Sequence, residues 1–305
     1  MTERNVIMKS LRLSVLFLAV CVFCHCALGQ GAANQSGKWK AVEDAMGRSG
    51  QAQPDGTMKF SMPRKDLKVT VDGLDVKAGL ALGSWAAFQE SKGQAVVMGD
   101  LVLTEEEVTP VMDKLTAGSI EITGLHNHLQ LESPRVMYMH IHGRGEGAAL
   151  AKVIHDALAE TKTPPAGPPS AAAPELGIDT KQIDAVIGHA GKNNGGIYQI
   201  SVPRAEHVTE AGMTIANSMG IATALNFQPT AEGKAAITGD FVLIGGEVNP
   251  VIKALRANGI AVTALHSHML TEQPRLFFMH FWANDDAVKL ARGLKAALDK
   301  TASQK

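Results

Sequence analysis

The chain is poor in cysteine, in charge imbalance and in long apolar runs, and each shortage removes a class of function. Of its 305 residues three are cysteines, Cys21, Cys24 and Cys26. Nothing after Cys26 can form a disulfide, a thiolate nucleophile or a cysteine-rich zinc site. Lys and Arg total 29 against 30 Asp and Glu, a formal charge of −1. With no polybasic run or aromatic–basic stripe, no nucleic-acid partner is expected. The one long apolar run, Leu13 to Cys24, is short for a bilayer span, which needs about 20 residues. Preceded by Arg4, Lys9 and Arg12 and followed by Ala27-Leu28-Gly29, it has the pattern of a signal peptide cleaved after Gly29. Cleavage removes three of the 29 basic and one of the 30 acidic residues, leaving 26 against 29, a formal −3. Export to the periplasm or beyond is expected, with no membrane span afterwards. The residues before the three cysteines are Val20, Phe23 and His25, where lipid modification requires a small residue, so plain secretion is expected over a lipid anchor.

What the sequence does have is a repeat. Residues 99–140 align without a gap to 239–280, and roughly half the positions are identical. Gly99-Asp100 matches Gly239-Asp240, Glu107 and Pro110 match Glu247 and Pro250, and His126-Asn-His128 matches His266-Ser-His268. Glu132, Pro134-Arg135 and His140 match Glu272, Pro274-Arg275 and His280, and upstream Ser61-Met-Pro63-Arg64 matches Ser201-Val-Pro203-Arg204. The expected organisation is a signal peptide (1–29), a first repeat (38–160), a proline-rich linker (161–178) and a second repeat (179–302).

Each repeat reads as α+β, a mainly antiparallel sheet with packed helices. In the first, a helix near 39–47 precedes strand-like runs at 57–62, 67–72, 79–88 and 95–103. Thr104-Glu-Glu-Glu107 is a capping box, predicting a helix to Ala117 that Gly118 stops, with Pro110 imposing a kink or a later start. Two strands, 119–128 and 135–142, follow as a tightly connected hairpin, and a helix over 145–160 closes the copy.

Seven of the eleven histidines fall in these two hairpins. Strand alternation places His126 and His128 on one face with Gly124. A hairpin centred near residue 133 sets His126 opposite His140, with Cβ atoms about 4.5–5.5 Å apart. The second copy does the same with His266, His268 and His280, over Ala264. Three converging imidazoles suit a divalent transition metal, zinc first and manganese or iron next, because the donors are nitrogen and oxygen without sulfur. Glu132 and Glu272 at the hairpin tips are candidate general bases or fourth ligands, and Arg135 and Arg275 are candidates for binding an anionic group of a substrate. Asp100 and Asp240 read as turn or strand-start residues. His142 and Trp282 occupy matching positions and distinguish the copies.

The strings Thr-Gly-Leu-His-Asn-His (123–128), Thr-Ala-Leu-His-Ser-His (263–268) and Gln-Pro-Arg-Leu-Phe-Phe-Met-His-Phe-Trp (273–282) resemble the LppY/LpqO family of exported bacterial proteins. The resemblance covers both copies and implies export and a shared fold, without implying a reaction. His126-x-His128-x-x-x-Glu132 is also similar to the first cupin motif, but His140 follows Glu132 too soon for a cupin. The reading is an exported protein with a metal at each hairpin, acting as a metal-assisted hydrolase if it is an enzyme. The alternatives are a metal-free module that binds a small molecule and a repeat whose histidines only knit its hairpins.

Overall fold

The structure, a computed structural model, describes residues 37–167 and 173–304. The expected signal peptide, the three cysteines and part of the proline-rich linker lie outside the described residues.

The first repeat begins with α1 (Lys40–Met46), β1 (Gln51–Ala52), β2 (Met58–Pro63), β3 (Val69–Val71), β4 (Leu74–Val76) and α2 (Ala78–Ala81). It continues with β5 (Gly83–Ser91), β6 (Gln94–Thr104), α3 (Glu105–Ala117), β7 (Glu121–His126), β8 (Glu132–Ser133), β9 (Val136–Gly145) and α4 (Gly147–Leu158). The second repeat starts with α5 (Thr180–Ile187), β10 (Lys192–Asn194), β11 (Ile197–Pro203), β12 (Thr209–Glu210) and β13 (Met213–Thr214). Then come β14 (Ala222–Ala231), β15 (Lys234–Ile244), α6 (Gly245–Ala257), β16 (Ala261–His266), β17 (Leu276–Asp286) and α7 (Ala287–Leu298). Each repeat forms one six-stranded antiparallel sheet, ordered β1-β2-β5-β6-β9-β7 and β10-β11-β14-β15-β17-β16. The molecule is thus a tandem duplication of an α+β domain.

Local chemistry accounts for these elements. Ser91 pairs with Gln94 across Lys92-Gly93, whose φ values of 52° and 79° make the β5–β6 connection a two-residue turn with the twist the strands need. The Glu107 carboxylate reaches back to the Thr104 amide at 2.9 Å and starts α3, and Gly118 ends it. The helix begins at Glu105 despite Pro110. Proline forgoes only a bond to the Glu106 carbonyl, which sits in an exposed first turn where solvent can satisfy it. The expected strand over 79–88 is split by one helical turn, which buries Leu80 and Leu82 before β5 starts.

The shared Pro-Arg dipeptide has a structural task. Arg64 is fully buried and donates to the Val102 carbonyl (2.7 Å), to Glu107 (2.7 and 3.1 Å) and to Asp66. Arg204 does the same with the Val242 carbonyl (2.6 Å), Glu247 (2.7 Å) and Glu206 (2.9 Å). One guanidinium in each repeat therefore ties the end of β2 or β11 to the middle strand and to the helix that follows it.

Both repeats lie within a single compact unit, Ala41–Lys305. The helices cover one face of each sheet: in the second repeat Ile183, Val251, Leu255, Leu290 and Leu294 pack on Phe227, Ile237, Phe241 and Phe281. The other faces meet. Val71, Val102 and Tyr138 cluster with Ala236 and Trp282, while Val96 and Met98 cluster with Val242, Leu276 and Phe278. Reciprocal bonds across the join, Thr123 Oγ1 to the His268 carbonyl and Thr263 Oγ1 to the His128 carbonyl, both at 2.6 Å, give it an approximate twofold relation. Between the two apolar clusters, midway along β6 and β15, lie Asp100 and Asp240.

Removing one partner of a buried, hydrogen-bonded ion pair leaves the other charge uncompensated, at about 3–5 kcal/mol. Arg64→Ala and Arg204→Ala are each expected to lower unfolding free energy by about that amount, read from denaturant midpoints; a loss under about 1 kcal/mol, the value of a surface pair, would contradict the assignment. Burial alone would raise the Glu107 and Glu247 carboxyls, but hydrogen bonds from Arg64 or Arg204 and from backbone amides outweigh it and hold both below the ordinary range. Their folded values being depressed, their stabilisation is complete above the ordinary carboxylate range and is lost as pH falls through the depressed values. Acid titration of the wild type should show that loss, and Glu107→Gln should flatten it.

Candidate metal centre

The histidines reach one place because of how each hairpin is built. In the first, β7 pairs with β9 so that Gly124 faces His140 and His126 faces Tyr138, with a bulge between Ile122 and Gly124. In the second, Ala264 faces His280 and His266 faces Phe278, with the bulge between Val262 and Ala264. This corrects the expected opposition of His126 and His140. The connection is not tight: residues 127–135 form a long loop whose β8 segment pairs with β3, so symmetry about residue 133 does not apply. The correction favours crowding. A small residue sits directly across from each return-strand histidine, and a Cβ on Gly124 would stand 3.1 Å both from His140 Cδ2 and from the Ser267 carbonyl of the other repeat.

Six imidazoles from both repeats form one cluster. His126 Nε2 is 2.8 Å from His140 Nε2, and His266 Nε2 is 3.1 Å from His268 Nε2. Across the join the rings pair: His126 with His266 at 3.6 Å between centroids, His128 with His280 at 3.6 Å, and His140 with His268 at 3.9 Å. Tyr138 stacks on His128 and Phe278 on His268, each at 3.4 Å, walling the cluster at both ends. The expectation of three imidazoles in each half is thereby changed into a shared set. One ligating atom from each of His126, His128, His140 and His266 lies within 4.8 Å of the others, three from one repeat and one from the other.

Two carboxyl groups complete it. Asp100 pairs with His140 in the β6–β9 ladder and Asp240 with His280 in the β15–β17 ladder, so both are mid-strand residues and not the turn residues expected. Asp100 oxygens lie 3.8 Å from His128 Nε2 and 3.9 Å from His140 Nδ1. Asp240 oxygens lie 3.4 Å from His268 Nε2 and 3.9 Å from His280 Nε2. The available signal was their identity in both copies within otherwise apolar strands.

Burial sets the protonation states. It pushes His128, His140 and His268 far below the ordinary histidine range, with the neighbouring imidazoles adding to the effect. Burial likewise lowers His126 and His266, and takes His280 down to about 3, assisted by His126. All six rings are therefore neutral at physiological pH, the form that ligates metal. The His280 Nδ1–H donates to the Gly239 carbonyl at 2.7 Å, and the Gly99 backbone is a hydrogen-bond partner of His140. These bonds fix the tautomer and aim each Nε2 lone pair into the cluster, as carbonyl partners of metal-bound histidines do. Burial raises both aspartic acids well above the usual carboxyl range, and the charge of Asp100 raises Asp240 further.

The remaining predicted site residues lie in the hairpin loops. Glu272 is fully buried and accepts from the Leu276 amide (2.8 Å) and from Arg275 (3.1 Å). Arg275 also donates to the Met269 and Leu270 carbonyls and to Ser267 Oγ, so it braces the loop. Glu132 accepts from the Val136 amide (3.2 Å) and from Asn127 (3.3 Å), and burial pushes its carboxyl up to about 7. Arg135 is exposed at the loop surface. His142, at the Trp282-equivalent position, bridges Glu121 (3.0 Å) and Glu210 (3.6 Å) across the join.

The cluster fits a metal on its own evidence. Among the described residues, eight buried side-chain atoms have no hydrogen-bond partner, and five of them are Asp100 Oδ1, His128 Nε2, Asp240 Oδ1, His266 Nδ1 and His280 Nε2. Native proteins seldom leave buried polar atoms unpaired, and a concentration of them in one place marks a missing ion or water. The donors are nitrogen and oxygen, the set that suits divalent transition metals.

No curated protein matches the chain. Among solved structures, a trimeric bacterial microcompartment shell protein, PduB, is 15% identical, covering 82% of this chain and 89% of that one at a TM-score of 0.21. EtuB from Clostridium kluyveri is 9% identical, covering 82% and 90% at a TM-score of 0.19. Scores of that size define no common architecture. A family model described as Domain of Unknown Function (DUF1259) matches residues 40–160 and again 181–300. The chain belongs to that family and carries its domain twice.

Proposed function

We propose that the protein is an exported metal-binding protein whose two repeats jointly hold a divalent transition metal, zinc before manganese or iron. The observation that carries the reading is the gathering of His126, His128, His140 and His266 donor atoms within 4.8 Å, with unpartnered buried nitrogen and oxygen atoms around them. Four nitrogen donors match zinc's usual coordination number, and the absence of sulfur leaves manganese and iron as further occupants. Export rests on the N-terminal sequence pattern and on the likeness of the histidine strings to the LppY/LpqO family. Among the described residues no helix is long and apolar enough to cross a membrane.

The cluster favours holding an ion over turning over a substrate. Its rings stack at 3.6–3.9 Å across the join, which leaves little space for a reacting molecule between them. Any chemistry belongs to the side where His126 and His266 are only half-buried. There a bound ion would supply Lewis acidity and an acidified water. Glu132, with a carboxyl near neutrality and an unpartnered Oε2, is the group able to hold a proton. Glu272 is committed to its loop. Arg135, exposed beside it, is the residue left to meet an anionic group.

Elemental analysis of the purified chain, after passage over a chelating resin, should find stoichiometric metal. The double variant His126→Ala/His266→Ala, one change in each repeat, should have none. Wild-type protein free of metal, or undiminished metal in the variant, would overturn the reading. A ligand that binds only the folded state stabilises it by about 2.7 kcal/mol at a hundred times its dissociation constant. Chelation should therefore lower the Tm by several degrees in the wild type and leave the double variant unmoved; equal melting with and without chelator in the wild type would contradict a bound ion.

A further inference from the structure

The four-histidine set uses only part of the cluster. His268, His280 and Asp240 stand outside it, and so does Asp100, yet His268, His280 and Asp100 are buried and Asp240 is largely so. They are not arranged as ordinary core residues. His268 Nε2 is 3.1 Å from His266 Nε2 and 3.4 Å from Asp240 Oδ2, and His280 Nε2 is 3.9 Å from Asp240 Oδ1. Asp240 Oδ1 and His280 Nε2 have no hydrogen-bond partner, and the Gly239 carbonyl orients His280 so that its Nε2 faces inward. The same residue types gather 140 positions earlier, with different atoms in contact: Asp100 lies 3.8 Å from His128 Nε2 and 3.9 Å from His140 Nδ1, and His140 Nε2 is 2.8 Å from His126 Nε2.

Accepting the metal-binding reading, we propose that the cluster binds two divalent transition-metal ions, the second held by His268, His280 and Asp240, with His266 shared between them. A single ion cannot engage all eight groups. Zinc takes four donors and a six-coordinate manganese or iron takes six, at bond lengths near 2.0–2.2 Å. The groups passed over would remain buried and unpaired in the second repeat, although their counterparts in the first are provided for. His266 is placed to serve both positions. It belongs to the four-histidine set, its Nε2 faces His268, and its buried Nδ1 is unpartnered; to serve both ions it would act as an imidazolate, one nitrogen to each ion, its ring proton released to solvent on binding. Asp240 supplies a negative charge to the second ion as Asp100, beside His128, does to the first, so that two cations can sit close together.

The test counts ions per chain and uses variants confined to the second position. Full-length protein loaded with Zn(II) or Mn(II), then stripped of weakly held metal on a chelating resin, should carry two equivalents by mass spectrometry. Asp240→Asn and His280→Gln, both close in volume to the original residues, should each carry one. One equivalent in the wild type, or two in both variants, would overturn the second site while leaving the first in place. No metal in the wild type would instead remove the reading on which the proposal rests. Loading with Cu(II) gives a readout that folding defects do not mimic. Two ions on a shared imidazolate couple magnetically, so the integrated paramagnetic signal of the wild type should fall below half of that expected for its bound copper. His280→Gln should recover full intensity per ion. Full intensity in wild-type protein holding two coppers would reject a shared His266.

Discussion

The structure depends on a desolvated polar cluster set between two apolar sheet faces. Six imidazoles and two carboxyl groups lie in the join between the repeats, with Val71, Tyr138 and Trp282 on one side and Met98, Val242 and Phe278 on the other. An unsatisfied buried polar group costs about 1–3 kcal/mol. Five such atoms in the cluster represent a cost comparable with a whole domain's usual stability of about 5–15 kcal/mol. That cost is hard to sustain unless something else satisfies the atoms. A cation does so directly, because neutral imidazole nitrogens and carboxylate oxygens all present lone pairs to it.

The same constraint explains how the repeats are joined. Neither hairpin alone brings four imidazole donors together, since the set of four takes His266 from the second repeat. The exchange of bonds from Thr123 and Thr263 to the carbonyls of His268 and His128 fixes the relative position of the two segments that carry the clustered histidines. Gly124 allows the Ser267 carbonyl to approach where a larger residue would hold it away. Away from the join, Arg64 and Arg204 each lock a middle strand to its helix, which keeps Asp100 and Asp240 in register with the return-strand histidines. The copies differ within the cluster, where three of the four grouped donors come from the first repeat, and at its periphery, where Trp282 packs into an apolar cluster and His142 meets Glu121 and Glu210.

Much of this was legible in the sequence. The duplication, the order of strands and helices, the cap at Thr104 and the six histidines follow from periodicity and from residues retained in both copies. The pairing register was not legible, because a bulge at Thr123 and a loop that makes its own strand with β3 shift it by two residues. Asp100 and Asp240 were misread because a Gly-Asp pair is a common turn signal, and only the flanking strands show that it lies mid-ladder. Glu132 and Glu272, placed at a hairpin tip by sequence, turn out to bond the amides four residues on, a local task that composition does not reveal. Nor could one chain's pattern say that the two hairpins face each other, since that depends on which sheet faces remain uncovered by helices.

The central claim is that imidazoles from both repeats surround an ion. X-ray absorption at the metal edge of the purified protein measures this directly. The account predicts a first shell of nitrogen and oxygen only, near 2.0–2.2 Å, with outer-shell scattering from at least three imidazoles. An edge no higher than background, or a shell of oxygen with at most one imidazole, would contradict it.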